Sequence, residues 1–283
     1  MKRILITGAD SYIGTSVEKW LKRSEFSGMY QVDTVDMRGE KWKQKDFSGY
    51  DTVFHVAGIA HQKETKENEA LYYKINRNLA IEAAVKAREH GVKQFIFLSS
   101  MSVYGVDEGM IDKKTVPHPQ THYGKSKYQA EKKLVQLSCE KFQIAIVRPP
   151  MVYGKGCKGN YQLLRKAALY SPVFPDIKNK RSMIYVDNLA EYIRHLIENR
   201  SEGIFLPQNS QYTCTSEMVK MIAHFNGKKL FLTNAFNWGV KCMMGNKTVK
   251  KVFGSLYYDT EGELSCSMIP WKETIFQIRW LCV

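Results

Sequence analysis

The sequence predicts an α/β protein built on a doubly wound parallel sheet, and three observations carry that prediction. Short apolar β-like runs alternate with longer amphipathic stretches between residues 2 and 150. The intervening stretches are long enough to form the crossovers that parallel neighbours require. A glycine-bracketed turn, TGADSYIG, follows the first apolar run directly.

KRILIT reads as the first strand, and the next helix carries Ile13, Val17, Trp20 and Leu21 on one stripe at i, i+4, i+7 and i+8. Strands follow at 30–37 and 51–58, a helix runs from about Ala70 to Gly91, and a strand occupies 93–100. A helix from about Tyr123 to Lys141 precedes the strand 142–150. After Pro149-Pro150 the pattern loosens. Gly154, Gly156 and Gly159 mark a loop, a helix spans Tyr161 to Tyr170, and SPVFPD breaks it. SMIYVDNLAEYIRHLIENR restores a strand-then-helix pattern before short mixed elements from about Phe205. The expected organisation is a nucleotide-binding domain over 1–155, with 182–200 returning to it, and a small substrate lobe over 156–283.

The 283 residues suffice for a full core. The formal charge of +14 favours anionic partners. The lysines of 41–45, 63–66 and 125–133 read as solvated faces, and no aromatics alternate with basic residues as a single-strand nucleic-acid binder wants. Six cysteines, Cys139, Cys157, Cys214, Cys242, Cys266 and Cys282, lie far apart without metal-ligand spacing, so no metal is expected. Met1 leads straight into a strand, and no apolar run is long enough to cross a bilayer. Reduced thiols in a cytoplasmic protein without nucleic-acid or membrane partners fit this pattern.

Gly8 and Gly14 stand at the strand-to-helix turn, where backbone amides and the positive helix end suit a pyrophosphate. Ser11 stands where a middle glycine usually keeps side chains clear of the diphosphate; it is read as a tolerated variant that can donate a hydrogen bond. Asp36 ends the second strand at the spacing from which a carboxylate bonds ribose hydroxyls. It favours NAD over NADP, and Arg38 softens that preference.

In THYGKSKYQAEKKL, Tyr123, Lys127, Ala130, Leu134 and Leu137 share one helical face. A lysine there is costly unless its ammonium meets a polar partner, or else it snorkels outward. Beside Tyr123 it would favour the phenolate, and bringing a phenol from about 10 to near 7 takes about 4 kcal/mol. One lysine is not expected to supply all of that; an oxidised nicotinamide would add to it.

Tyr123-Gly-Lys-Ser-Lys127, TGADSYIG and FLSSMSVYG together resemble the extended short-chain dehydrogenase/reductase family, in its nucleotide-sugar epimerase/dehydratase branch, over roughly residues 2–200. The resemblance implies a Rossmann-type fold, an NAD cofactor with NADP possible, a UDP-sugar substrate and a homodimer. It makes Tyr123 the catalytic acid/base, Lys127 its partner, and Ser100 the hydroxyl that steadies the sugar oxygen, with Ser99 the neighbour that could be confused with it. It further assigns Tyr12, Ile13, Asp46, Phe47, Ala57, Gly58, Asn76 and Pro149 to the cofactor, and Asn160 and Arg181 to the substrate. Arg181 suits phosphate oxygens through its guanidinium fork, while Lys155 and Lys158 read as surface charge.

Three functions stay open at this stage. One is a UDP-sugar C4 epimerase, which returns the same hydride to the other face of a keto-sugar. The second is a UDP-4-keto-6-deoxy-(N-acetyl)hexose 4-reductase, toward which the short C-terminal lobe and Arg38 lean. The third is a non-catalytic NAD(P)-binding sensor, which the retained Ser100, Tyr123 and Lys127 disfavour. A dehydratase is disfavoured because Met101-Ser102 follows Ser100 where that branch carries Asp-Glu.

Overall fold

The computed structural model describes residues 1–60, 62–157, 159–259 and 268–279. Lys158, Cys266, Cys282 and the end of the apolar tail lie outside the described residues. In chain order the elements are β1 (Lys2–Thr7), α1 (Tyr12–Leu21), β2 (Tyr30–Val35), β3 (Thr52–His55), α2 (Glu69–Tyr72), α3 (Leu79–Glu89), β4 (Gln94–Leu98), β5 (Gly109–Ile111), α4 (His122–Val135), β6 (Gln143–Val147), β7 (Met151–Tyr153) and α5 (Asn160–Tyr170). They continue with β8 (Val173–Pro175), β9 (Met183–Tyr185), α6 (Val186–Glu198), β10 (Gly203–Phe205), α7 (Thr215–Phe225), β11 (Phe231–Thr233), α8 (Asn237–Cys242), α9 (Lys247–Phe253), β12 (Leu256–Tyr258) and α10 (Trp271–Arg279).

Two compact units emerge. The first comprises Met1–Gly105, Pro117–Pro149 and Leu189–Pro207. Its six-stranded sheet runs β10-β6-β4-β3-β1-β2 with every pair parallel, so the doubly wound expectation holds. Alternation along the strands divides the core. Leu5, Val53, Phe95, Phe97, Ile144 and Ile146 pack with Ala80, Ala83, Ala84 and Ala87 of α3 and with Ala130 and Leu134 of α4. The alanines let α3 lie close to the strands. On the other side, α1 and α6 meet where the Trp20 indole donates to Glu191 at 2.8 Å.

The second unit takes Val106–Val116, Pro150–Asn188 and the chain from Gln208 onward. Among the described residues its strands form three short parallel pairs, β7 with β9, β8 with β11 and β5 with β12. The expected boundary at 155 therefore meets a break at Pro149-Pro150. β9 stays with this unit because Met183–Tyr185 pairs residue for residue with Met151–Tyr153, and the chain rejoins the large sheet only from Leu189.

Three expected elements differ in extent. The helix expected from about Tyr123 to Lys141 ends at Val135, because Cys139 and Phe142 exchange backbone hydrogen bonds at 2.9 Å and close a turn. β2 stops at Val35, leaving Asp36 just beyond it. The helix expected from Ala70 to Gly91 is interrupted by a wide π-turn over Tyr73–Asn78. Within that turn Asn76 is fully buried, and its amide pairs with the backbone of Ile59, accepting from N–H at 2.8 Å and donating to C=O at 3.1 Å.

A buried ionic cluster ties the carboxyl ends of β4 and β6 to α4. Arg148, 4% exposed, donates through Nε and Nη2 to Glu131 at 3.1 and 2.6 Å and through Nη1 to the Tyr104 hydroxyl at 2.9 Å. Ser99 donates to the same carboxylate. Removing one member strands the other charge in a dry interior. Arg148→Met should cost about 3–5 kcal/mol of stability in urea denaturation, and Glu131→Gln on top of it should recover part of the loss. A loss below about 1 kcal/mol, the range of exposed pairs, would contradict the buried-cluster reading.

Candidate active site

The site forms in the first unit at the carboxyl ends of the parallel strands, where open α/β sheets place ligands. β1 leads into Gly8, whose φ of +107° suits glycine, and an added Cβ there would lie 2.9 Å from the Ala57 nitrogen. Ser11 then caps α1: its side-chain oxygen accepts from Gly14 N–H at 3.2 Å. The hydroxyl thus engages one amide of the turn as an acceptor, and its own O–H remains available as a donor. A Cβ on Gly14 would come within 2.5 Å of it, so this serine and Gly14 fit as a pair. Tyr12 and Ile13, both half-buried, complete the first turn.

Asp36 is exposed and gripped by Arg38, whose Nε lies 2.9 and 2.8 Å from the two carboxylate oxygens and whose Nη2 lies 2.7 Å from Oδ2. The guanidinium holds this carboxyl below its ordinary range. Arg38 thus cancels the lone negative charge expected at the strand end.

Lys127 is buried at 4% exposure, which excludes snorkelling. Its ammonium donates to the Leu98 carbonyl at 2.8 Å and lies 4.6 Å from the centre of the Phe97 ring. Gly58 leaves room for it, since a Cβ there would come within 3.2 Å of Nζ and 2.9 Å of Asn76 Oδ1. Burial pushes Lys127 down to about 7, against the upward pull of Glu131 one turn along α4.

Ser100 caps the short turn Met101–Tyr104, its oxygen accepting from Ser102 N–H at 3.1 Å. Its hydroxyl donates to Ser102 Oγ at 3.2 Å, and Ser100 lowers the Tyr123 phenol against the larger rise from burial. Ser99 points elsewhere, into the Glu131 cluster, so geometry separates the two serines. Tyr123 packs edge-on against the buried ring of Tyr72 at 6.5 Å.

The expectation that Lys127 makes the phenol acidic is corrected here. Burial raises Tyr123 above its ordinary value of 10.0, Ser100 lowers it less than burial raises it, and Tyr72 adds a further rise. The ammonium is committed to Leu98 and is itself depressed, so it contributes little charge at the phenol.

Asp46 and Phe47 are not brought here. The Asp46 carboxylate accepts from Ser48 N–H at 2.8 Å and Oγ at 2.6 Å and pairs with His90 at 2.9 Å; Phe47 is 0% exposed in the core. Both lie ahead of β3, and His90 ends α3 ahead of β4, which places them at the amino end of the strands. Ala57 is held by its N–H to the Thr7 carbonyl at 3.0 Å, and the buried Pro149 accepts from Met101 N–H at 2.9 Å. Asn160 and Arg181 belong to the second unit. Asn160 is exposed at the first position of α5. Arg181 donates to the Gly254 carbonyl at 2.9 Å, and burial disfavours its charge, with Asp107 opposing that effect.

Glu64, Tyr72, Glu131 and Arg148 were missed in the sequence. The one usable signal was Glu131 at i+4 from Lys127. Among the described residues, no cluster of three or more His, Cys, Asp or Glu suits a metal, and no helix is long and apolar enough to cross a membrane.

Comparison with known proteins supplies the rest. The chain is 32% identical over 246 residues to the UDP-glucose 4-epimerase of Vibrio cholerae, covering 78% of this chain and 75% of that protein. It is 28% identical over 215 residues to the N-acetyl-alpha-D-glucosaminyl-diphospho-ditrans,octacis-undecaprenol 4-epimerase of Escherichia coli O157:H7, covering 71% of this chain and 64% of that one. Its fold matches the crystal structure of dTDP-4-dehydrorhamnose reductase from Bacillus anthracis in complex with NADP, with a TM-score of 0.74 at 20% identity over 100% of both chains. The NAD dependent epimerase/dehydratase family matches residues 4–206. With that span, the chain belongs to the NAD-dependent epimerase/dehydratase family of extended short-chain dehydrogenases/reductases.

Proposed function

We propose that the chain is a nucleotide-sugar C4 epimerase that uses NAD and acts on a UDP-sugar. The observation that carries this reading is the convergence of Ser100, Tyr123 and Lys127 on the strand ends that also bear the Gly8–Gly14 turn. Gly8, Gly14 and Gly58 are places where a Cβ would crowd Ala57, Ser11 and Asn76, as the close-packed turn of a dinucleotide cradle requires. When bound, the nicotinamide supplies the acceptor and donor of hydride. Ser100 and Tyr123 hold the sugar oxygen between two hydroxyls, and Tyr123 moves its proton. Lys127 and Asn76 orient the ribose side of the site.

Epimerisation is favoured over reduction by the similarity to the Vibrio cholerae protein. A 4-keto-sugar reductase remains the second reading for a specific reason. The Arg38 guanidinium sits on Asp36, so the strand end does not repel a 2′-phosphate as a lone carboxylate would. The fold neighbour that is a reductase was solved with NADP. Absorbance of reduced nicotinamide separates the two: the epimerase consumes none while interconverting UDP-sugars, whereas the reductase consumes one equivalent per keto-sugar. A homodimer completes the reading, and sedimentation velocity reads it directly.

Tyr123→Phe should lower turnover by about 10²–10⁴-fold, the usual share of a positioned acid/base group, with circular dichroism and NAD binding unchanged. Turnover within tenfold of the parent would contradict the assignment.

The lysine carries a stability cost with a defined pH window. Its folded value of about 7 lies below its ordinary 10.5. Between those values the unfolded chain binds more protons, so stability from this group rises with pH; below the window the full cost of burying the ammonium applies. Lys127→Met should therefore raise the Tm at pH 7 while abolishing turnover, and the gain should shrink toward pH 10. A variant less stable than the parent at pH 7 would contradict this.

A further inference from the structure

The run Lys63–Lys66 reads in sequence as solvated charge, yet Glu64 within it does something else. Its carboxylate accepts two backbone hydrogen bonds from the start of α4, His122 N–H to Oε2 at 3.0 Å and Tyr123 N–H to Oε1 at 2.9 Å. Thr121 Oγ1 takes the next amide, Gly124, at 3.0 Å. Helix starts leave their first amides without intrahelical partners. Here a residue far away in sequence satisfies two of them, including the amide of the proposed acid/base itself.

The loop that carries Glu64 is held on both flanks. Asn68 accepts from Thr65 N–H at 2.9 Å and donates to the Lys63 carbonyl at 2.9 Å. The Tyr72 hydroxyl donates to the Gln62 carbonyl at 3.2 Å, and the same ring packs edge-on against Tyr123. Glu69 pairs with His122 at 3.2 Å. The loop and α2 thus meet the first turn of α4 at three points around Tyr123, and of the three Glu64 is the one that binds backbone.

We propose that Glu64 is a positioning residue for Tyr123: its two-oxygen grip fixes the first turn of α4 so that the phenol faces Ser100. This rests on the epimerase/reductase reading above. The two bonds are charge-assisted and act on backbone, so they set where the helix begins rather than how acidic any group is. A small displacement at a reacting group costs rate far more than binding.

The test compares Glu64→Ala, Glu64→Gln and Thr121→Ala. Thr121→Ala removes an ordinary cap from the same turn and leaves the Tyr123 amide bonded, so it controls for fraying. Glu64→Ala should lower kcat at least tenfold, with KM for the UDP-sugar and Kd for NAD within twofold of the parent. Glu64→Gln, which keeps one acceptor oxygen and sets an NH2 against the other amide, should fall between. Thr121→Ala should keep kcat within threefold at a comparable loss of Tm. Crystal structures of the parent and of Glu64→Ala should show the phenol oxygen displaced from Ser100 in the variant. A phenol in the same place in Glu64→Ala as in the parent, or a kcat loss no greater than that of Thr121→Ala, would overturn the proposal. If the parent chain turns over no nucleotide sugar, the functional reading fails, and the crystal structure still decides the role of Glu64.

Discussion

The structure depends on a lysine ammonium held inside the first unit. Lys127 lies on the core-facing stripe of α4, where an unpartnered charge would be prohibitively costly, and the surrounding chain is arranged to meet it. The Leu98 carbonyl accepts from it at the end of β4, the Phe97 ring offers its face, and Gly58 gives up a side chain to make space. Asn76 is brought beside the same space by the π-turn, which bends the β3–β4 crossover so that one buried amide binds the Ile59 backbone. One turn along α4, Glu131 pulls the lysine back toward its charged form while being neutralised by Arg148. Strand ends, crossover and helix therefore meet around one cation.

That arrangement bears on how the proposed acid/base pair, Tyr123 and Lys127, would work. A simple picture has a permanent ammonium making its tyrosine neighbour acidic. In this chain burial weakens both ionised forms at once: the lysine falls to about 7 and the phenol rises. Tyr123 is accordingly a proton donor in the free chain, with Ser100 as the one neighbour favouring its ionised form. Using it as a base in the oxidative half-reaction requires a further positive charge in the loaded site. In the free chain the Lys127 ammonium serves as a structural donor to Leu98.

Much of this was legible in the sequence because it rests on local periodicity. The alternation of strands and helices announced the parallel sheet, and the spacing of Tyr123, Lys127, Ala130 and Leu134 placed a charge on a buried stripe. What escaped was non-local. Glu64 in a lysine-rich run, and Glu131 with Arg148 in otherwise charged surroundings, have the composition of surface residues; only the fold shows that their partners are backbone amides or each other. Ser11 could be judged small enough, but its capping bond to Gly14 depends on the turn around it. Asp46 and Phe47 carried a motif without the spacing to reach the right end of the sheet, and His90 and the core claimed them instead. The second unit was hardest to foresee, since its strands of three residues carry too short a pattern to register.

The central claim is that the phenol of Tyr123 holds its proton in the free chain and loses it only in a loaded site. Ultraviolet difference titration of the parent against Tyr123→Phe, with and without saturating NAD⁺, measures this directly. The account predicts ionisation of that phenol above pH 10 in the free chain and a clear downward displacement when NAD⁺ is bound. A phenol already ionising near neutrality without cofactor, or one that does not move when NAD⁺ binds, would contradict it.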